Sequence, residues 1–236
     1  VSPDGKFAYV TLFGEDAVEV IDTETLEVVG EPIEVGDGPE GVEFAPDGKT
    51  AYVVDGLGDA VSAIDTETEK VTPIPLEVGA GPRGIVVAPD GKHAFVVDTS
   101  SKSISVIDTA AARVGDEIEV DAEPQEVALT ASGKTLYVTE AGGVPGERTA
   151  EVQRIDVGTG RIVGTTIELP GKFAAGIAIA PDQSPVAAFA VPDITAGVPA
   201  TFSGAASTDA DGTIASYAWT FGDGGTATGA APSHTY

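Results

Sequence analysis

Apolar residues fall in short runs of about five, rich in Val, Ile, Ala and Tyr, and each run is closed by Gly, Asp or Pro. Ala8 to Thr11, Ala51 to Val54, Ala94 to Val97 and Leu136 to Thr139 are typical. Runs of this length and composition predict β-strands joined by tight turns, and no segment holds a helical period. Laid over one another, the runs give four strands per unit. In the second unit these are A at Gly41 to Ala45, B at Thr50 to Val54, C at Ala60 to Ile64 and D at Lys70 to Val78.

The units are copies. Pro3-Asp4-Gly5-Lys6 returns as Pro46-Asp47-Gly48-Lys49 and Pro89-Asp90-Gly91-Lys92, 43 residues apart each time, then as Ala131-Ser132-Gly133-Lys134 and Pro181-Asp182-Gln183. Ile21-Asp22, Ile64-Asp65, Ile107-Asp108 and Ile155-Asp156 keep the same register, and an insertion at Gly142 to Glu151 lengthens the last step. A strand-rich repeat of this period is that of a propeller blade, which buries its faces only against its neighbours. In the turn, Pro sets φ, Asp bonds its own backbone and Gly accepts positive φ. The aromatic that follows, Tyr9, Tyr52, Phe95 or Tyr137, is expected to fill the space between blades. The Asp closing each VID-like strand is expected to bond nearby backbone.

AYVT at Ala8 to Thr11, AYVV at Ala51 to Val54, AFVV at Ala94 to Val97 and LYVT at Leu136 to Thr139 resemble YVTN-type β-propeller repeats over residues 1–183. The chain departs from that family at the fourth motif position, where Leu12, Asp55, Asp98 and Glu140 replace Asn. About four blades are present, as part of a larger propeller. The run Gly176 to Ala180 is a lone strand A that could complete the first blade. Otherwise an open arc leaves an unpaired edge and an uncovered face, both prone to self-association.

After Ser184 the composition turns to Ala, Gly, Thr and Ser. Strands are expected at Val186 to Phe189, Thr201 to Gly204 and Ile214 to Phe221. Ser207, Asp209, Asp211, Gly212, Tyr217, Trp219, Phe221 to Gly224, His234 and Tyr236 resemble the PKD signature, an immunoglobulin-like β-sandwich. Thr220 stands where Asp is usual. The fold class is therefore all-β, a β-propeller at 1–183 and a partial PKD-like sandwich at 184–236. The resemblance implies about two further strands, with Trp219 as a core anchor. The opening Val and the missing signal-peptide pattern suggest an internal piece of a longer chain.

Charge narrows the partners. The formal net charge is -26, and only four acids and no cation lie beyond Ser184, which leaves -22 on the repeats. Such a surface repels phosphate backbones and disfavours nucleic-acid binding. No apolar run reaches the ~20 residues of a membrane-spanning helix. Cys is absent, and His93 and His234 lie apart in the sequence, which argues against a transition-metal site or a cysteine nucleophile. No cofactor is expected, with calcium at Asp209 and Asp211 the one candidate, because alternate carboxylates in a Gly-containing turn suit a hard cation. Turn bonding explains the same residues.

The candidate binding face carries the B to C and D to A loops, with Asp16, Glu40, Asp59, Arg83, Lys102, Gln125, Glu147 and Arg148, the last two in the insertion. By resemblance, a propeller with a PKD-like tail implies a bacterial or archaeal surface or extracellular module that binds or adheres to protein or carbohydrate without catalysis. The alternative is a lactonase-like hydrolytic propeller, or an accessory region of a secreted hydrolase.

Overall fold

The computed structural model describes residues 1–236 except 77–80, 142–148, 172, 181–184 and 210–212. It is all-β, and the chain divides into two compact units, Val1–Ile179 and Ala180–Tyr236. No helix among the described residues is long and apolar enough to cross a membrane.

The first unit holds four antiparallel sheets in chain order. Blade 1 is β1 (Phe7–Leu12), β2 (Ala17–Asp22) and β3 (Ile33–Glu34). Blade 2 is β4 (Pro39–Phe44), β5 (Thr50–Asp55), β6 (Ala60–Asp65) and β7 (Val71–Pro75). Blade 3 is β8 (Pro82–Val87), β9 (His93–Asp98), β10 (Ser103–Asp108) and β11 (Arg113–Glu119). Blade 4 is β12 (Glu123–Leu129), β13 (Thr135–Ala141) and β14 (Glu151–Asp156), with β15 (Arg161–Ile162) and β16 (Ile167–Glu168) both paired to β14. Strand D of blade 2 is shorter than the sequence suggests. β7 carries Pro73 and Pro75, which a strand tolerates at a sheet edge because proline offers no amide to a further neighbour.

Strand alternation sends each blade's side chains two ways. Ala51, Val53 and Ile64 pack with Tyr9, Val18, Val20 and Ile33 of blade 1, where Tyr9 meets Phe44 edge-on at 4.8 Å. Tyr52, Val54, Val61 and Ile74 face the other way, onto Ile85, Val87, Val96 and Ile107 of blade 3. Phe95, Val97, Ile104 and Ile118 then meet Val127, Leu136, Val138 and Ile155 of blade 4. Three of the four predicted aromatics thus lie in the inter-blade cores, while Tyr137 is half-buried.

The turns repeat at atomic detail. The amides of Gly5, Gly48, Gly91 and Gly133 each bond the carbonyl three residues back at 2.8 Å. Each of these glycines has φ between 69° and 75°, where a side chain strains the backbone. Asp47 and Asp90 accept the amides of Lys49 and Lys92 at 3.0 Å. The VID aspartates behave as expected: Asp22, Asp65, Asp108 and Asp156 each accept an amide two or three residues on, at 2.8–2.9 Å at the shortest.

One expectation fails. Gly176 to Ala180 forms no strand and does not complete blade 1, where β1 pairs only with β2. Ile177–Ile179 instead lines a cavity of about 400 Å³ beside Gly41–Glu43 of β4, Ile85–Val86 of β8 and Glu126–Leu129 of β12. It thus lies beside the inner strands of blades 2 to 4 rather than at the free edge of β1.

In the second unit, β17 (Ala200–Thr201) pairs β20 (Ser233–His234), and β18 (Ala218–Thr220) pairs β19 (Thr226–Thr228). The expected strand at Val186 to Phe189 is reduced to isolated bridges, Val186 to Thr208 and Ala190 to Ser203. Ala200, Phe202 and Phe221 form the core, and Trp219 packs at its margin with its indole N–H donating to the Gly229 carbonyl at 2.8 Å. Asp223 ties the Gly-Asp-Gly turn to β20 by accepting from Gly225 at 2.9 Å and pairing with His234 at 2.8 Å. His234 in turn stacks on Phe221 at 4.0 Å.

Blade spacing is tightest at the inner strands, where a Cβ on Gly41 would lie 2.6 Å from the Arg83 carbonyl oxygen. Gly41→Ala is expected to cost about 1–3 kcal/mol in urea unfolding by forcing blades 2 and 3 apart. Gly14→Ala, where a Cβ meets nothing within 4 Å, should stay within about 0.5 kcal/mol of the parent.

Candidate functional site

Glu40, Arg83 and Gln125 occupy the same place, the second residue of β4 and β8 and the third of β12, each directly after a proline. Because successive blades repeat one geometry, that place recurs across neighbouring inner strands, and the three side chains form a row. Arg83 Nη1 donates to Gln125 Oε1 at 3.2 Å, and Arg83 Nε stands 3.8 Å from Glu40 Oε2. Gln125 is buried and also donates through Nε2 to the Glu123 carbonyl at 3.2 Å. Arg83 is nearly half exposed and has donors left for a ligand. Threonines at the ends of the B strands brace the row from the preceding blade: Thr11 Oγ1 donates to the Glu40 carbonyl at 2.8 Å and Thr99 Oγ1 to the Pro124 carbonyl at 2.7 Å.

The remaining predicted residues divide. Asp16 and Asp59 are exposed residues with positive φ, 52° and 47°, in the B to C turns. Their Oδ1 atoms accept the amides of Gly38 and Gly81 at 2.8 and 3.1 Å, which ties each turn to the loop leading into the next blade. Lys102 holds the same turn position with φ 58°, but a lysine offers no acceptor, and its exposed side chain is left for solvent or a partner. Glu147 and Arg148 lie outside the described residues, as does Asp211. Asp209 is half-buried, and among the described residues no group of three or more His, Cys, Asp or Glu is placed to hold a metal ion.

Three acids that depart from the family motif are buried: Asp55, Asp98 and Glu140 are at most 1% exposed. Asp55 Oδ2 accepts from Ser62 Oγ at 2.8 Å and Oδ1 from the Gly36 amide at 3.2 Å. Asp98 Oδ2 accepts from Ser105 Oγ at 2.6 Å. Removal from water dominates both carboxyls and pushes them up to about 6, against the lowering by these hydrogen bonds. Burial also raises the Glu126 carboxyl, whose Oε1 accepts the Val127 amide at 3.0 Å. The signal for these sites is an acid at or next to the end of a B strand, after a run of apolar residues.

Comparison with known proteins now decides the family. Residues 1–132 match the profile of the YNCE-like beta-propeller. The chain belongs to the YNCE-like beta-propeller family. In this YNCE-like chain residues 182–236 match the PKD domain. Among solved structures it is similar to the Kuenenia stuttgartiensis hydrazine synthase, with 31% identity and a TM-score of 0.66 over 71% of this chain and 48% of that one. The chain thus spans about half the length of that relative. It also resembles a functionally unknown protein from Desulfotomaculum acetoxidans, at 17% identity and a TM-score of 0.56 over 72% of this chain and 55% of that one, a likeness of fold alone. No curated protein matches.

The two ends of the row should respond differently to truncation. Arg83→Ala removes a partly exposed, loosely paired group and is expected to change unfolding free energy by less than about 1 kcal/mol. Gln125→Ala leaves a buried gap and a guanidinium without its acceptor, at about 1–3 kcal/mol, read by the same urea titration.

Proposed function

We propose that this chain is a non-enzymatic binding module displayed outside a bacterial or archaeal cell, where it adheres to a surface protein or carbohydrate. The row Glu40, Arg83 and Gln125 supports the reading most directly. It joins three blades at one loop-bearing face and holds a partly exposed guanidinium on a rigid frame. The pairing of a propeller with a PKD domain supports the extracellular setting. Calcium at Asp209 and Asp211 and self-association through the free edge of β1 belong to the same proposal. A second reading, that the propeller serves a larger enzyme, draws on the likeness to a chain of hydrazine synthase.

The test is a glycan and surface-protein array probed with the whole chain, with Arg83→Ala and Lys102→Ala in parallel. The expected result is a bound partner whose affinity falls about tenfold or more with Arg83→Ala, at unchanged stability. A bound partner indifferent to both substitutions would place binding elsewhere. Turnover of lactone or glycoside substrates that is lost on changing this face would favour the enzymatic reading.

A further inference from the structure

The buried aspartates do more than fill a motif position. Asp55 closes β5, and its carboxyl joins three pieces of chain: β5 itself, Ser62 on β6, and Gly36 in the loop that leads to β4. The fit is close, since a Cβ on Gly36 would lie 2.5 Å from the Asp55 Cγ, so the loop approaches the carboxyl only because glycine stands there. The same loop gives the Asp37 carbonyl to the amides of Leu57 and Gly58, both at 3.1 Å, and the Gly38 carbonyl to Gly56 at 2.9 Å. Two residues beyond Gly38 comes Glu40, the first member of the row. Asp55 thus sits beneath the chain that positions the candidate face.

Blade 3 repeats the strand-to-strand part of this arrangement. Asp98 closes β9 and takes the hydroxyl of Ser105 on β10, while its Oδ1, fully buried, has no hydrogen-bond partner among the described residues. Every charged neighbour acting on these two groups is an acid. Asp37 from the loop and Asp16 from the β1 to β2 turn act on Asp55. Glu117 of β11 and Asp59 of the β5 to β6 turn act on Asp98. Lys102 meets Asp98 through its backbone, donating its amide to the Asp98 carbonyl at 3.0 Å, and its side chain is exposed. Among the described residues no cation pairs with either carboxyl.

We propose that Asp55 and Asp98 are proton-operated latches, Asp55 joining β5 and β6 to the Gly36 loop and Asp98 joining β9 to β10, closed when protonated and loosened when both carboxyls ionise among acidic neighbours. The sign follows from burial. Each carboxyl rises to about 6 in the fold from about 3.9 in an unfolded chain. A native state that binds the proton more tightly gains its full stability below the unfolded value and loses it as pH rises through the folded one. The window is therefore about pH 4 to 6, and the propeller is held more firmly at pH 5 than at pH 7.5. The exposed aspartates Asp4, Asp22 and Asp65, which hydrogen bonds hold below the usual range, act in the opposite sense but at lower pH. Glu43 and Glu126 are raised by burial as well, so the contribution of the two latches is a difference between proteins.

The experiment compares the parent chain with Asp55→Asn, Asp98→Asn and the double variant by urea unfolding from pH 5 to 8, and follows the Gly36 amide by hydrogen exchange. The parent should lose stability on raising the pH, and the double variant should lose distinctly less. Protection of Gly36, corrected for intrinsic exchange, should fall about tenfold between pH 5 and 7.5 in the parent, because the folded midpoint of about 6 lies about one pH unit above pH 5. Asp55→Asn should hold it constant. Identical pH profiles for parent and double variant overturn the proposal, as does an Asn variant weakened equally at pH 5 and 8. Should the variants not fold, carboxyl-carbon NMR titration of the parent decides: midpoints near 6 support the latches, and midpoints below about 4.5 overturn them. None of these readouts depends on the proposed partner of the face.

Discussion

Burial of one blade's apolar face against the next is the constraint on which the rest of this structure depends. An isolated four-stranded sheet exposes two apolar faces, and a repeat protein hides them only by stacking. Blade 2 shows the requirement most directly. Ala51, Val53 and Ile64 are lost to water on one side, and Tyr52, Val54, Val61 and Ile74 on the other. Each fully buried Val or Ile side chain contributes about 1.5–3 kcal/mol, so the two interfaces of one blade outweigh any single polar contact in the molecule.

Stacking also explains where polar groups can sit. Inner strands approach so closely that Gly41 has no room for a side chain, and the turns nest, with Gly48 beside Pro3, Gly91 beside Pro46 and Gly133 beside Pro89. Function is left to strand ends and loops, which keep one angular relation from blade to blade. A residue at a given repeat position therefore meets the same position next door. That is how Glu40, Arg83 and Gln125 become a row, and how Asp16 and Asp59 come to pin successive loops.

Buried acids belong to the same geometry. Asp55, the last residue of β5, lies under the loop that carries Gly36. Asp55 and Asp98 put ionisable groups into the protein interior, at a cost set by desolvation rather than by partner charges. The second unit places its charge differently. Asp223 stays at the surface with its carboxyl held below the usual range by the Gly225 amide and His234, and it serves as a staple for a turn.

The repeated PDGK turns, the two-residue alternation and the closing VID aspartates depend on neighbours within a few positions, so the sequence by itself determined the blades, their strands and the aromatic stacking. The PKD signature was legible for the same reason, since its Gly-Asp-Gly turn and H-x-Y strand are local patterns. The association of Glu40 with Arg83 and Gln125 was not legible, because these residues lie 43 and 42 positions apart and meet only when blades align. Nor was the burial of Asp55, Asp98 and Glu140, which depends on the loop that covers them. The placement of Ile177–Ile179 was likewise decided in three dimensions, where this segment lines a cavity with β4, β8 and β12 instead of pairing as a strand. Local chemistry sets the repeat, whereas proximity between repeats, and with it the ionisation and the surface that a partner meets, exists only once the blades are packed.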